Sequence, residues 1–596
     1  MSSGRESVPR TREARASQTT NARVFAATLA SQGVGPVIVS PGSRSTPLVL
    51  ACAEHPDLET VSVIDERSAA FFALGWARAS DRPAVLLCTS GSAAGHYLPA
   101  LMEADAAEIP VLVVTANRPI ERESSGASQT AVQRHLYGLV VRRDYEVDLA
   151  LASERGSAAV ARVVGQAVAR TTAPLPGPVH VDVRLRKPLE PEEWPMPDAF
   201  QPREPRRPRW FGARALADEE AVDEIVSLVA AADRPMLAVG PAPRRVREAA
   251  AAVASIAQSG LPMFCEWTSQ LREQSEFWAL GAGLASGRVR RRLRPDLVVQ
   301  LGTAPVSAGW EPWIEQCAAD GAQHIVVQSG RMRDARSTAT HVLVTDPAPF
   351  LNQLATRLTA ENGARWSAWH EALRAIHDAV AGVLVEQWED AGLELRAARA
   401  AITECPGGVL GLGNSLAVRH AEGAPPATSS GDAGAWSWIW HQRGLSGIDG
   451  LIAGMAGSLR AAASEAGSAL PGRLLLGDVS FVHDLGSLAL LRSDWAKRLD
   501  VVMLDNGGGR IFERLPLAKL DLDPATRDLF VTPPSVDLGA AARAAGLAYH
   551  EVSSADELVA ELGKGRDGAR VLHVRCPPTE VNADHRRILA ALDRIE

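Results

Sequence analysis

Short runs of unbroken apolar residues recur along this chain, and alanine-rich stretches with helical spacing separate them. In the first third the runs are Val37-Ile38-Val39, Val61 to Ile64, Ala84 to Cys88, Val111 to Val114 and Val179 to Val183. Runs with so few polar positions fit parallel strands buried on both faces, and parallel strands need crossovers between them. The rhythm returns at Met236 to Val239, Pro262 to Cys265, Leu297 to Leu301, His324 to Val327 and His341 to Val344. It returns again at Val409 to Leu412, Leu474 to Leu476, Val501 to Leu504 and Val571 to Val574. The fold class implied is α/β, with three doubly wound parallel-sheet domains.

What interrupts the rhythm divides the chain. Pro188, Pro191, Pro195, Pro197, Pro202, Pro205 and Pro208 exclude helix interiors and central strands. Residues 191–214 are therefore read as a linker, between a first domain over 21–190 and a central domain over 215–365. The third domain covers 366–596, entered through a helical connection with Trp366, Trp369 and Trp388. Residues 1–20 are polar, without the apolar segment of a secretory signal, and are read as a disordered tail. Pro425 to Gly434 is small and polar, as in a surface loop.

Composition narrows the function. The 596 residues include 62 Lys and Arg against 70 Asp and Glu, a net charge of −8 that disfavours nucleic-acid binding. Five arginines between Arg288 and Arg294 read as a solvated helix face. No apolar stretch approaches the roughly 20 residues of a membrane span. The six cysteines form no C-x-x-C pair and read as buried thiols of a reducing, cytoplasmic setting.

The chemistry concentrates at two strand ends. One strand stops at Gly477-Asp478-Val479-Ser480, and the next ends at Asp505-Asn506-Gly507-Gly508-Gly509, with Asp478 and Asn506 lying 28 residues apart. Open α/β sheets bind ligands at the carboxyl ends of their strands. Asp478 offers a carboxylate oxygen, Asn506 an amide oxygen and the glycine loop a backbone carbonyl such as that of Gly508. That set suits a hard cation such as magnesium. Taken singly, each half reads equally well as a helix cap and a glycine turn. Together, at this spacing, they resemble the metal motif of thiamine-diphosphate enzymes. Such a cofactor also needs a carboxylic acid against its aminopyrimidine. Glu66, just past a strand and behind the cap residue Asp65, is the candidate.

The resemblance becomes specific over an ordered set of segments. These are Ser40-Pro41-Gly42-Ser43-Arg44-Ser45-Thr46-Pro47, Asp65-Glu66-Arg67-Ser68-Ala69-Ala70-Phe71-Phe72 and Gly126-Ala127-Ser128-Gln129-Thr130. They continue with Gly413-Asn414-Ser415 and Arg419, Arg443-Gly444-Leu445-Ser446-Gly447-Ile448-Asp449-Gly450, Gly477 to Asp484 and Gly508-Gly509-Arg510-Ile511-Phe512. The set resembles the 2-succinyl-5-enolpyruvyl-6-hydroxy-3-cyclohexene-1-carboxylate synthase family of menaquinone biosynthesis.

The resemblance implies pyrimidine-binding, central and diphosphate-binding domains in a homodimer or dimer of dimers. The cofactor then lies between the first domain of one subunit and the third domain of another. The implied enzyme is a transferase of the carboligase type that uses thiamine diphosphate and Mg2+ or Mn2+. It decarboxylates 2-oxoglutarate and adds the succinyl carbanion to isochorismate in a 1,4 sense. Glu66 would be catalytic. Ile448, Gly477, Asp478, Val479, Ser480, Asn506, Gly508 and Ile511 would hold the cofactor, with Asp478, Asn506 and Gly508 at the metal. Because both substrates are dicarboxylates, Arg44, Arg118, Arg419 and Arg443 are the implied clamps. Ser43, Gln129 and Ser415 would hydrogen-bond substrate, and Phe512 would wall the pocket.

The chain departs from the family at several positions. Asn117 stands for a usual aspartate, and Ala308 for a lysine expected to help hold a substrate carboxylate. Two other readings are open to such a sequence: a related enzyme acting on another 2-oxo acid, and a non-catalytic cofactor-binding relative.

Overall fold

The computed structural model describes residues 7–151, 153–194, 210, 215–405, 407–426 and 435–595. The described residues contain three parallel sheets. They gather into two compact units: Met1–Ala213 with Asp449–Glu465, and Arg214–Ile448 with Ala466–Glu596.

The first unit holds β1 (Val37–Val39), β2 (Thr60–Ser62), β3 (Ala84–Cys88), β4 (Val111–Asn117), β5 (Asp144–Asp148) and β6 (Pro178–Arg184). Their order is β2-β1-β3-β4-β6-β5. The second unit holds two sheets. The central one uses β7 (Pro235–Val239), β8 (Met263–Cys265), β9 (Leu297–Leu301), β10 (Gln323–Gln328) and β11 (His341–Val344), in the order β11-β10-β9-β7-β8. The third uses β12 (Val409–Leu412), β13 (Trp438–His441), β14 (Gly472–Gly477), β15 (Leu499–Asp505), β16 (Ala548–Val552) and β17 (Arg570–Arg575), in the order β13-β12-β14-β15-β17-β16. In each sheet the chain reverses its direction of winding beside the first strand, the place where a crevice can open at the carboxyl ends.

Three strands are absent from the sequence reading: β5, β13 and β16. Each lies at the edge of its sheet. An edge strand has one neighbour and tolerates polar residues. Accordingly β5 reads Asp-Tyr-Glu-Val-Asp and is half-buried, and β16 reads Ala-Tyr-His-Glu-Val and is largely accessible. β13 is buried but has only four residues, two of them tryptophan.

The expected N-terminal tail is corrected, because a helix runs from Ser7 to Ser31. Two of its polar residues, Gln18 and Asn21, are buried anchors rather than solvated chain. The Gln18 amide donates to the Arg186 carbonyl at 3.2 Å and accepts from the Arg186 N–H at 2.8 Å. Asn21 Nδ2 donates to the Leu149 carbonyl at 2.8 Å. Most of the expected linker, and residues 427–434 of the expected loop, lie outside the described residues.

The helix Leu451–Ala466 also departs from the sequence reading, which assigned it to the third domain. Most of it belongs to the first unit, stacked backbone to backbone on the helix Glu66–Ser80. A Cβ on Gly75 would lie 1.9 Å from the Gly454 carbonyl oxygen, and one on Gly457 would lie 2.0 Å from that of Phe72. Only glycines permit this approach. Ser458 Oγ donates to the Gly75 carbonyl at 3.1 Å and closes the contact.

The helical connection is a single helix, Ala360–Glu389. The Trp366 and Trp369 indoles donate to the Ala232 and Pro235 carbonyls at 3.0 and 2.9 Å, tying it to the central sheet.

Candidate active site

The crevice of the third sheet forms a cleft at the ends of β12, β14 and β15. Ser415, Ile448, Asp478, Asn506, Gly508 and Phe512 line it, with Gly477, Val479, Ser480 and Ile511 beside them. The structure thus brings together every cofactor residue expected from the third domain.

Asp478 is the deepest of them. Its two oxygens accept from the Val479 N–H at 2.8 Å and the Gly508 N–H at 2.7 Å. Burial first, and then the neighbouring Asp505 carboxylate, push Asp478 up to about 7. Burial works against ionised Asp505 as well, but hydrogen bonds from His573 and Asp478 hold it below the usual carboxylate range. The two carboxylates therefore compete for positive charge. A proton between them meets that need, and a cation would meet it better.

Asn506 is aimed by a residue that the sequence reading missed. Its Nδ2 donates to both oxygens of Glu394, at 3.1 and 3.0 Å, and the other face of Glu394 meets His420 Nε2 at 2.8 Å. The amide is thereby fixed so that Asn506 Oδ1 has no protein partner, although it is buried. A buried carbonyl oxygen without a donor is an expensive feature unless a ligand satisfies it. Oδ1 of Asn506 and the Asp478 carboxylate thus fit a hard cation. Gly508 fits less directly. Its amide holds Asp478, and its carbonyl already accepts from the Arg510 N–H at 2.8 Å, which leaves one lone pair.

Ser415 has φ 64 and ψ −122, a sparsely populated conformation for a non-glycine residue. Beside it, Asn414 Nδ2 donates to the carbonyls of Gln442 and Gly447, at 2.8 and 2.6 Å. Asn414 Oδ1 accepts from Arg443 Nη1 at 2.9 Å, so Arg443 reaches the cleft through Asn414. Arg419 does not join it and lines a neighbouring cavity with Ala308.

The first unit groups the remaining candidates at the carboxyl ends of β1, β2, β3 and β4. Glu66 opens its helix behind the Asp65 cap, which accepts from the Arg67 N–H at 2.9 Å. It is half-buried. A Cβ on Gly42 would lie 2.3 Å from Thr89 Cβ, so glycine is required where the loops after β1 and β3 touch.

Arg44 is buried, its Nη1 donating to the Leu185 carbonyl at 3.0 Å. Burial and the nearby Arg118 guanidinium lower its pKa, which marks two cations facing one space. Arg118 is positioned by Thr130 Oγ1 at 2.6 Å and by the Ser128 carbonyl. Gln129 Nε2 donates to the Ser90 carbonyl at 3.2 Å, and Ser43 is exposed. Asn117, the departure from the family pattern, accepts from the Arg118 N–H at 2.7 Å and donates to Asp182 at 2.7 Å.

The chain also matches known proteins in sequence and fold. A family model described as the N-terminal TPP binding domain of thiamine pyrophosphate enzymes matches residues 19–136. A solved structure described as a thiamin diphosphate-dependent enzyme from Mycobacterium smegmatis matches with a TM-score of 0.65 and 18% identity. The match covers 93% of this chain and 99% of that one, and shows a shared fold. Fold and cleft define a thiamine pyrophosphate enzyme.

The 2-succinyl-5-enolpyruvyl-6-hydroxy-3-cyclohexene-1-carboxylate synthase of Sorangium cellulosum is 37% identical over 96% of both chains. The synthase of the same name from Roseiflexus sp. is 34% identical over 89% of this chain and 91% of its own. That of Halobacterium salinarum is 34% identical over 96% and 97%. The chain belongs to the 2-succinyl-5-enolpyruvyl-6-hydroxy-3-cyclohexene-1-carboxylate synthase family.

Proposed function

We propose that the protein joins 2-oxoglutarate and isochorismate, with loss of carbon dioxide, to give 2-succinyl-5-enolpyruvyl-6-hydroxy-3-cyclohexene-1-carboxylate. Near-full-length identity to synthases of that product supports the reaction. The observation that carries the site is the buried, unpartnered Asn506 Oδ1 beside Asp478. Bound thiamine diphosphate would supply the electron sink for decarboxylation and carbon–carbon bond formation.

The chain's own residues do the rest. Asp478 and Asn506 would hold Mg2+ or Mn2+, with the free lone pair of the Gly508 carbonyl available to it. Val479 and Ser480 would meet the diphosphate, and Ile448 and Ile511 wall the cleft. Glu66 would hold or release a proton beside the aminopyrimidine. Arg44, Arg118 and Arg443 hold substrate carboxylates, with Ser43, Gln129 and Ser415 as hydrogen-bond partners and Phe512 as a wall. The three sheets serve as pyrimidine-binding, central and diphosphate-binding domains.

The working form is a homodimer or dimer of dimers. Ile64, Ile120, Val132 and Leu139, all exposed on the first unit, support self-association. Among the described residues no helix is long and apolar enough to cross a membrane. We assign the protein to the cytoplasm.

The test is isochorismate consumption by purified protein with thiamine diphosphate, Mg2+ and 2-oxoglutarate. Consumption that needs every component and is lost in Glu66→Gln supports the reading. Folded, cofactor-bound protein that consumes no isochorismate sinks it.

A further inference from the structure

A second cavity opens in the same unit as the cleft. The helix Leu416–Gly423 gives Leu416 and Ala417 to the cleft, but Arg419, His420 and Glu422 to this cavity. Its walls are chiefly apolar, with Leu384, Trp388 and Leu592 among them. Two guanidiniums, Arg419 and Arg514, also line it.

Neither guanidinium is in contact with a carboxylate among the described residues, although Glu266 attracts Arg419 and Glu394 attracts Arg514 from farther off. Arg419 donates from Nη1 to the Ser415 carbonyl at 2.6 Å. Arg514 donates from Nε to Asn582 Oδ1 at 3.1 Å and from Nη2 to the Val581 carbonyl at 3.3 Å. Among the described residues neither makes an ion pair, and Arg514 Nη1 finds no acceptor. Burial lowers the pKa of both; for Arg514, repulsion from Arg419 adds to this and Glu394 opposes it, leaving it at about 10. His585 adds no charge at neutral pH, since burial and then Arg514 hold it near 4. Glu422 is engaged elsewhere: Oε1 accepts from the Trp267 N–H at 2.9 Å, and Oε2 lies 3.7 Å from Arg272.

Two unpaired cations in an apolar enclosure are costly unless an anion joins them. The matching ligand has an apolar body and a carboxylate. A guanidinium with a free edge holds such a carboxylate through charge-assisted hydrogen bonds. Of the two substrates proposed above, the cyclic acid has the apolar body that these walls suit.

We propose that Arg514, acting with Arg419, binds a carboxylate of isochorismate in this cavity, an inference that rests on the reaction proposed above. Position 308, which lines the same cavity, is an uncharged alanine. Of the two cations that line the cavity, Arg514 comes from the segment that follows Phe512.

The experiment uses the full-length protein with thiamine diphosphate and Mg2+. Wild type, Arg514→Leu and the double variant Arg514→Leu with Ala308→Lys are compared. Calorimetric titration with isochorismate in the absence of 2-oxoglutarate reads its Kd, and steady-state assays read KM for each substrate. Arg514→Leu should raise the Kd and KM for isochorismate by about ten-fold or more, the weight of a charge-assisted hydrogen bond. The KM for 2-oxoglutarate and the affinity for thiamine diphosphate should stay within about two-fold. The double variant should recover at least about a third of the loss, because the lysine returns a cation to the same cavity.

An unchanged isochorismate Kd in Arg514→Leu that still binds thiamine diphosphate overturns the inference. So does an equal loss for both substrates. If Arg514→Leu does not fold, Arg514→Lys decides: normal isochorismate and 2-oxoglutarate constants would show that the fork has no role in binding. Wild-type protein that fails to consume isochorismate refutes the proposed reaction itself, a result distinct from any of these.

Discussion

The first and third sheets share one strand order, yet their carboxyl edges present different groups at the centre. Counted from its own first strand, each runs second, first, third, fourth, sixth, fifth. Both have loops meeting beside the first strand. In the third sheet those loops bring Asp478, Asp505 and Asn506 together, over Glu394. In the first they bring Arg44 toward Arg118, with Glu66 nearby on its helix start. The central sheet has the same order without the last strand. There the corresponding loops close on themselves, since a Cβ on Gly240 would lie 2.1 Å from the Thr303 carbonyl oxygen. Topology decides where a crevice can open, and the residues of two or three loops decide what it can hold.

The largest effects should separate holding from activating. Asp478→Ala should abolish thiamine diphosphate binding with Mg2+ and reduce turnover by about a thousand-fold or more. Glu66→Gln should reduce turnover comparably while cofactor binding, read by calorimetry, survives. Mixing the two inactive proteins sharpens the contrast. If each site draws on two copies, unfolding and refolding the mixture should restore part of the activity. No recovery in mixed oligomers would argue that a single copy is self-sufficient.

A smaller effect should follow from Glu394→Gln, which touches Asn506 rather than the metal. Metal affinity should fall about ten- to a hundred-fold, as for other groups that orient a ligand. Metal titration followed by activity checks this, and an unchanged affinity would remove Glu394 from the site.

Next comes the helix that the first unit takes from the third-domain sequence. Gly75→Ala should destabilise the protein by about 1–3 kcal/mol, because the added methyl meets the Gly454 carbonyl. Thermal unfolding measures it, and a raised melting temperature would show that the helices part readily.

The smallest effect lies in the central sheet. Burial holds His324 at about 4, below its ordinary value. The folded state therefore keeps it neutral while the unfolded state takes up a proton near pH 6.5. Stability should be constant with respect to this group above about pH 6.5. It should fall as pH drops, with the loss complete below about pH 4. His324→Asn should flatten that part of the stability curve, by about 1–3 kcal/mol at pH 4.

The fold was legible wherever burial left a pattern. Strands covered on both faces show as apolar runs, and all but three were read from them. Those three lie at sheet edges, where β5 and β16 alternate with polar residues. The polar N-terminal helix was misread for a related reason, since Gln18 and Asn21 stabilise it through hydrogen bonds to distant backbone. The pair of strand-end motifs was legible because Asp478 and Asn506 lie at the ends of adjacent strands of one βαβ unit, a spacing fixed by covalent geometry.

What the sequence determined by itself was therefore local: the strand rhythm, the strand-end motifs and the family they identify. Only the tertiary structure decided which distant side chains complete them. Glu394 fixes Asn506 across 112 residues, and Asn117 reaches Asp182 across 65. Arg419 leaves the cleft for a second cavity, where it meets Arg514. Such pairings depend on how sheets and helices pack, and a hydrogen bond between distant residues imposes no period on the chain between them.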